Sequence, residues 1–375
     1  MTYESSDFEY IFLNDIPLID TRSPGEFAKG SFPRAVNLPL MTDDERAQIG
    51  TCYKQRGQDA AIALGHQLVS GRTKTQRVAQ WKAFAYQHPE GAFFCWRGGL
   101  RSATTQQWLA EAGISYPRIK GGYKAMRRWL LDSFDKLCAQ RPLLVIGGKT
   151  GSAKTRLMLE GNHGQAYPGV VDMEGLANHR GSAFGRRPGG QPTQLGFEIA
   201  LAIDFIKASM RTSGPIIIED ESRLIGRCAL PLSLLEAKKS APVVLVNSPI
   251  DARIEHSFDN YILANLDEIR AAEPNPDSAF QLFSEGLLES LDRVRKRLGG
   301  DRHKTLRTIM QEALKKHEGG DASAHKQWIK AMLETYYDPM YNHQLDDQRQ
   351  RVVFEGNHNE VADYLRRLSK TSVPT

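Results

Sequence analysis

Residues 143–155 read Leu143-Leu144-Val145-Ile146-Gly147-Gly148-Lys149-Thr150-Gly151-Ser152-Ala153-Lys154-Thr155. A short apolar run gives way to a glycine-rich turn and then to a helical pattern, which is the order of a buried strand, a loop and a helix. Set against G-x-x-x-x-G-K-[ST], the loop matches at Gly148, Lys154 and Thr155, with Ala153 where glycine is usual. Such a loop binds phosphate. Its backbone N–H groups from Lys149 through Thr150, Gly151, Ser152 and Ala153 to Thr155 surround phosphate oxygens, Lys154 adds a point charge, and Thr155 can hold Mg2+. Ala153 puts a methyl group where the turn or the ligand is crowded.

Further apolar strands are expected at Ile216-Ile217-Ile218 and Val243-Val244-Leu245-Val246. The first ends in Glu219-Asp220-Glu221, and an acid beyond such a strand orients Mg2+ or water. The residues alone do not say which of the three points inward; Thr155 with Asp220 is the expected Mg2+ pair. From about 251 to 349 the sequence is helical and strongly charged, with amphipathic stretches such as FQLFSEGLLESLDRVRKRL. Arg351-Val352-Val353-Phe354 returns as a strand, and Glu360 to Leu368 as a helix. The pattern predicts an α/β domain over 139–375, its sheet completed by that last strand and interrupted by a helical insertion or lid.

Upstream, LIDTRSPGEFAKGSFPRAVNLPL (18–40) predicts a strand ending at Asp20, a turn at Ser23-Pro24, a short helix around Glu26-Phe27 and a strand at Ala35-Val36-Asn37-Leu38. Gly91 to Phe94 is a strand entering Cys95, Leu100 to Ala112 is helical in period, and Trp129 to Leu137 is a closing helix. Cys138 to Pro142 is the expected linker, so a second α/β domain spans 1–138. Between strand and helix lies Phe94-Cys95-Trp96-Arg97-Gly98-Gly99-Leu100-Arg101-Ser102, a C-x5-R loop. Its converging N–H groups make an anion-binding nest, and the same field with Arg97 and Arg101 favours the Cys95 thiolate. The plain alternative is a core cysteine ending a strand.

The 375 residues are 41% hydrophobic and 25% charged, the balance of a soluble two-domain protein. No apolar run reaches membrane-spanning length and the first residues lack a secretory pattern, so a cytoplasmic protein with no membrane partner is expected. The four cysteines at 52, 95, 138 and 228 contain no C-x-x-C, which argues against zinc and against a disulfide framework. A net charge of +5 permits a polyanionic partner without requiring one.

Asp20, Arg22, Glu26, Phe27, Gly30, Phe32, Ala35 and Asn37 match D-x-R-x-x-x-E-F-x-x-G-x-h-x-x-A-x-N, so the N-terminal part resembles rhodanese-like domains. These carry sulfur, or occasionally selenium, on the loop cysteine. The loop is one residue longer than in most simple sulfurtransferases and is similar in length to that of dual-specificity phosphatases, so a phosphatase or a carrier of a larger group such as selenium both remain open. The order of the two domains, with FCWRGGLRS, Lys120-Gly121-Gly122-Tyr123-Lys124-Ala125-Met126-Arg127, DMEGLANHRGSAFG (172–185) and EDESRLIG (219–226), resembles the bacterial tRNA 2-selenouridine synthase family over essentially the whole chain.

That resemblance implies a rhodanese-like α/β domain fused to a P-loop NTPase-like α/β domain, and two steps at the wobble 2-thiouridine of Lys, Glu and Gln tRNAs. A geranyl group moves from geranyl diphosphate to sulfur; selenium from selenophosphate, carried by Cys95, then replaces the geranylated sulfur. It implies no tightly bound cofactor beyond Mg2+, and the selenophosphate-producing enzyme as a partner. Asn178, His179, Arg180, Glu219 and Arg223 are candidate substrate contacts. Lys120, Tyr123, Lys124, Arg127 and Arg128 combine basic and aromatic character suited to tRNA, with Arg293, Arg295, Lys296 and Arg297 as a second basic stretch. Phe280, Leu282, Phe283, Leu287 and Leu288 could line an apolar pocket for the geranyl chain, although such a stripe is also ordinary core. The competing readings are a rhodanese-like phosphatase or sulfurtransferase joined to an ATP-dependent kinase, and a non-catalytic tRNA-binding or sulfur-carrier module.

Overall fold

The computed structural model describes residues 4–371. The chain forms two compact units, one of residues up to Phe134 with Leu195–Lys207, the other of Asp135–Gln194 with the residues from Ala208 onward.

The first unit holds five parallel strands, β1 (Glu4–Ser5), β2 (Leu18–Asp20), β3 (Ala35–Asn37), β4 (Ala92–Phe94) and β5 (Arg118–Ile119), in the order β1-β5-β4-β2-β3. The central strands β2 and β4 are buried at every position, as a parallel sheet covered on both faces requires. Ile19, Phe93, Trp81, Trp108 and Leu109 form its core. Three helices, Asp43–Arg56, Gln58–Leu68 and Gly71–Gln87, separate β3 from β4. Asp43–Arg56 buries no residue, so its sequence carries no helical apolar period; its start is marked by the Thr42–Glu45 capping box. The helix after β5 runs Gly122–Gln140, so Cys138 to Gln140, expected as linker, is its last turn.

The second unit has a parallel sheet of β6 (Leu143–Gly147), β7 (Ile216–Glu219), β10 (Val243–Val246) and β11 (Val352–Gly356), ordered β11-β10-β6-β7, with an antiparallel pair β8 (Leu224–Ile225) and β9 (Cys228–Ala229) beside it in sequence. β11, at the sheet edge, alternates between half-buried and exposed positions up to its buried last residue, Gly356, and the helix His358–Thr371 packs Val361 and Leu365 against Ile146, Val244 and Val246. The expected completion of the sheet by the last strand and helix is therefore observed. Between β10 and β11 the insertion is helical, with its own core of Phe283, Leu287, Leu291, Met310, Trp328 and Met332. Two of its turns are π-helical, Asp259–Leu263 and Leu333–Tyr337. Among the described residues no helix is long and apolar enough to cross a membrane.

Candidate functional site

The cysteine loop is built from two close backbone approaches. A Cβ on Gly98 would meet Gly121 N at 2.8 Å, and one on Gly122 would meet Cys95 O at 2.3 Å, so both must be glycine, and both have positive φ. The N–H groups of Tyr123 and Lys124 donate to the carbonyls of Cys95 and Trp96 at 2.9 and 3.0 Å. Each peptide's N–H opposes its C=O, so the loop N–H groups of Trp96 and Arg97 are turned away from that helix. Cys95 sits at the base of the loop, 2% exposed; its thiol donates to Ser102 Oγ at 3.2 Å, and Ser102 donates to Gly99 O at 3.0 Å. Arg97 is exposed. Arg101 is held by Glu26, Nη1 to Oε2 at 2.7 Å; although burial works to raise the Glu26 carboxyl, Arg101 keeps it below its ordinary range.

The signature residues of the first domain hold the loop from beneath. Arg22 and Asp20 form a buried pair at 2.6 Å, Arg22 also donates to Gly30 O, and its guanidinium lies 3.8 Å from the centre of the Tyr123 ring. Trp96 stacks on Tyr123 at 5.2 Å. Tyr123, expected among the tRNA contacts, is thus 1% exposed with Arg22 and Trp96 against its ring, and cannot stack on a base. The exposed aromatic here is Trp96, at 36%. Lys120 and Lys124 are exposed, while Arg127 pairs with Glu198 at 3.6 Å and Arg128 with Asp132 at 3.6 Å.

In the second unit the loop 147–155 leads into the helix Lys154–Glu160. Ala153 has φ +52° and ψ +38°, the left-handed conformation that glycine supplies at this place elsewhere. Lys154 Nζ donates to Gly148 O at 2.8 Å, which folds the cation over the loop. Arg253 and Lys149 both reach Asp338, at 2.5 and 3.4 Å, and Arg253 Nε donates to Thr150 O, tying the insertion to the loop.

The end of β7 at Glu219 and the turn closed by the Glu221 N–H on the Glu219 carbonyl at 2.9 Å resolve the acidic run. Glu219 and Glu221 face the loop, where the Thr155 hydroxyl donates to Glu219 and lies 3.3 Å from Glu174 Oε2. Asp220, the expected Mg2+ ligand, points the other way, to Lys238 at 2.8 Å and Gln348 at 3.0 Å. Candidate ligand oxygens of Glu174, Glu219 and Glu221 lie within 4.8 Å of one another. Burial first, then mutual repulsion, raises all three carboxyls: Glu219 and Glu174 well above the ordinary range, Glu221 to about 7. The missing member of the expected cluster was Glu174, within DMEGLANHRG; a second acid five residues before His179 was its only signal in the sequence.

That stretch is otherwise engaged internally. Asn178 Nδ2 donates to the carbonyls of Pro188 and Gly190, so its amide holds a turn. Arg180, 6% exposed, pairs with Glu268 at 2.8 Å and donates to Asn260 at 2.9 Å. The Asn178 amide N–H2 is thus taken up within the chain, whereas Arg180 Nη1 is buried without a partner. His179 is also buried, and burial, reinforced by Arg186, Arg293 and Arg180, lowers it to about 4, so it is neutral; its Nδ1 has no partner. Arg223 is exposed. The two π-helical turns bring Tyr261 to the Arg180 carbonyl at 3.3 Å and Tyr337 to the Ala183 N–H at 3.3 Å. In the second basic stretch, Arg293 donates to Ala183 O and Ser290, whereas Arg295, Lys296 and Arg297 are exposed. Of the expected apolar pocket, Phe283 and Leu287 belong to the insertion core, Phe280 and Leu288 pack partly buried against it, and Leu282 is half-exposed.

The arrangement provides a loop with a buried cysteine at its base in one unit and, in the other, a glycine-rich loop whose threonine lies beside three crowded carboxyls. The family model described as tRNA 2-selenouridine synthase AAA domain matches residues 141–372. The chain is 50% identical to the tRNA 2-selenouridine synthase of Hahella chejuensis, over 98% of this chain and 96% of that one. It is 48% identical to the protein of that name from Pseudomonas fluorescens, over 98% and 100%, and 46% identical to that from Azotobacter vinelandii, over the full length of both.

Proposed function

The chain belongs to the tRNA 2-selenouridine synthase family, and on that premise we propose that it replaces the sulfur of 2-thiouridine in tRNA with selenium by way of a geranylated intermediate. It is an enzyme, a transferase acting on tRNA. In the first step the thiocarbonyl sulfur attacks C1 of geranyl diphosphate. The C1–O bond breaks, its electrons leave on diphosphate, and the base gives up its N3 proton. Lys154 and the N–H groups of residues 149–155 meet the charge that develops on the leaving group.

Thr155, Glu219, Glu174 and Glu221 would hold Mg2+. They are hard oxygen donors, Glu219 Oε2 is buried without a partner, and burial with mutual repulsion disfavours the ionised carboxylates unless a cation joins them. When bound, the ion supplies positive charge to the diphosphate oxygens. In the second step the selenium of selenophosphate attacks C2 and the geranylated sulfur departs as a thiol; water then cleaves the P–Se bond, which leaves selenium on the base and releases inorganic phosphate. Cys95 serves this step, its loop N–H groups meeting the selenophosphate anion.

The reading is carried by the two anion-handling loops, at Cys95 and at Lys154, in a chain about half identical to its named relatives over nearly its whole length. Lys, Glu and Gln tRNAs are the proposed substrates, the selenophosphate-producing enzyme the proposed partner, and the cytoplasm the proposed compartment. The test is to incubate the protein with thiolated tRNA and geranyl diphosphate, digest the tRNA and weigh the nucleosides, then add selenophosphate. Geranyl-thiouridine followed by selenouridine is expected; selenouridine formed with no prenyl donor would remove the first step.

A further inference from the structure

Two carbonyls of the phosphate loop are held by side chains from the helices that follow β10 and β11. Arg253, buried on the helix Ile250–Phe258, donates through Nε to Thr150 O at 2.9 Å. His358 begins the helix after β11, and its Nε2 lies 2.7 Å from Ser152 O; a carbonyl only accepts, so Nε2 carries the proton. A Cβ on Gly151 would meet the Arg253 carbonyl at 2.8 Å, so the first of these helices lies directly on the loop. In a planar trans peptide the N–H opposes the C=O. Holding Thr150 O and Ser152 O therefore turns the N–H of Gly151 away from Arg253 and that of Ala153 away from His358.

Arg253 is itself fixed. Asp338, which directly follows the π-helical turn Leu333–Tyr337, takes its Nη1 at 3.0 Å and its Nη2 at 2.5 Å. Burial works to raise the Asp338 carboxyl, but Arg253, with Lys149 at 3.4 Å, keeps it below its ordinary range. With its fork on Asp338 and its Nε on the loop, Arg253 acts on the shape of the loop. A buried, doubly bonded carboxylate is a more rigid anchor for a guanidinium than solvent would be.

We propose that the Asp338–Arg253 pair and His358 are positioning residues of the prenyl step, aiming the Gly151 and Ala153 N–H groups at the departing diphosphate without touching it. This rests on the reading above that the loop receives diphosphate, and adds what aims its donors. Charge and position act in opposite directions at Asp338. Asp338→Asn removes a negative charge beside the loop, which by attraction alone tightens anion binding; lost aim weakens it. Calorimetry at fixed salt should show Asp338→Asn binding inorganic pyrophosphate more weakly than wild type by about tenfold or more, the scale of a misplaced contact. His358→Ala should lose a similar factor. His358→Gln, whose amide N–H can replace Nε2–H, should restore binding, and geranylation rates at saturating geranyl diphosphate should follow the same order. Circular dichroism establishes that each variant is folded at the assay temperature; if Asp338→Asn is not, the two His358 variants decide. A folded Asp338→Asn that binds pyrophosphate as tightly as wild type or more tightly would overturn the proposal, and so would a His358→Gln no better than His358→Ala. A wild-type protein that neither binds pyrophosphate nor geranylates tRNA would instead overturn the reading of the loop, and this proposal with it.

Discussion

The hydroxyl of Thr155 donates to Glu219, the last residue of β7, while the next residue of the chain, Asp220, pairs with Lys238 at 2.8 Å. That one step along the chain decides which acid serves the phosphate loop. Glu219→Gln imitates the protonated acid that burial favours, so the fold should persist. Mg2+-dependent diphosphate binding should fall by about tenfold or more, the loss of a charge-assisted contact. Asp220→Asn should change it by less than about twofold. Calorimetric titration with and without Mg2+ separates the two; equal losses would return Asp220 to the site.

The carboxylate cluster also predicts a pH dependence. Burial and the neighbouring Glu219 raise Glu221 from 4.5 to about 7, against the pull of Glu174, Lys154 and Lys238. Between those values the folded protein holds a proton that the unfolded chain has released, so stability is complete below about 4.5 and declines as pH rises through about 7. The metal-free unfolding temperature should therefore fall across this window. Mg2+ should reduce the fall by favouring the ionised carboxylates, and Glu221→Gln should flatten it. A metal-free unfolding temperature that climbs from pH 5 to 7.5 would contradict the cluster's electrostatics.

Ala153 stands at φ +52° where a Cβ costs on the order of 1–2 kcal/mol. Ala153→Gly relieves that strain but adds roughly 0.5–1 kcal/mol of unfolded-chain entropy. Stability should thus change little, while diphosphate binding is preserved or tightened. Collapse of binding in a folded Ala153→Gly protein would mean that the loop holds its ligand in another conformation.

How far the sequence was legible follows from what kind of information each part uses. Buried parallel strands are continuous apolar runs, so Leu143 to Ile146 and Val243 to Val246 announced themselves. The loop glycines and Lys154 are local and could be read in place. The helix Asp43–Arg56 could not, because it buries nothing and leaves no period. The partners of Asn178 and Arg180, Pro188 and Gly190 for one, Asn260 and Glu268 for the other, were not legible for a different reason: they arrive by turns and helix packing that no spacing encodes. Tyr123 is expected at the tRNA because basic residues surround it in the sequence, yet its ring faces Arg22.

For tRNA binding, the exposed groups around the cysteine loop include Trp96, Arg97, Lys120 and Lys124. Lys120→Ala with Lys124→Ala should lower affinity and reduce the slope of log K against log salt by about 1.4–1.8, if each lysine neutralises one phosphate. Trp96→Ala should weaken binding by about 1–3 kcal/mol with the slope unchanged, as expected for lost stacking. Filter binding over a salt series measures both; an unaltered slope in the double variant would move the RNA contact to Arg295, Lys296 and Arg297.

The two loops predict a separation of functions. Selenium exchange calls for a nucleophilic thiolate, whereas loss of diphosphate calls for positive charge and N–H donors. Cys95 is buried beside Ser102, and serine is close to it in size, so Cys95→Ser should fold. Its hydroxyl is not ionised near neutral pH, so selenouridine should not form and geranylated tRNA should accumulate. Lys154→Ala should act on the first step, at a cost on the order of 3 kcal/mol or about a hundredfold in rate. Because Lys154 also bonds Gly148 O, Lys154→Arg serves as the variant that keeps the charge while changing the loop contact. Supplied with pre-geranylated tRNA and selenophosphate, Lys154→Ala should still produce selenouridine. Both nucleosides are weighed after digestion, with tRNA binding measured on each variant. If Cys95→Ser stays folded and binds tRNA yet loses geranylation as well, the cysteine takes part in both steps, and the division of labour between the loops is wrong.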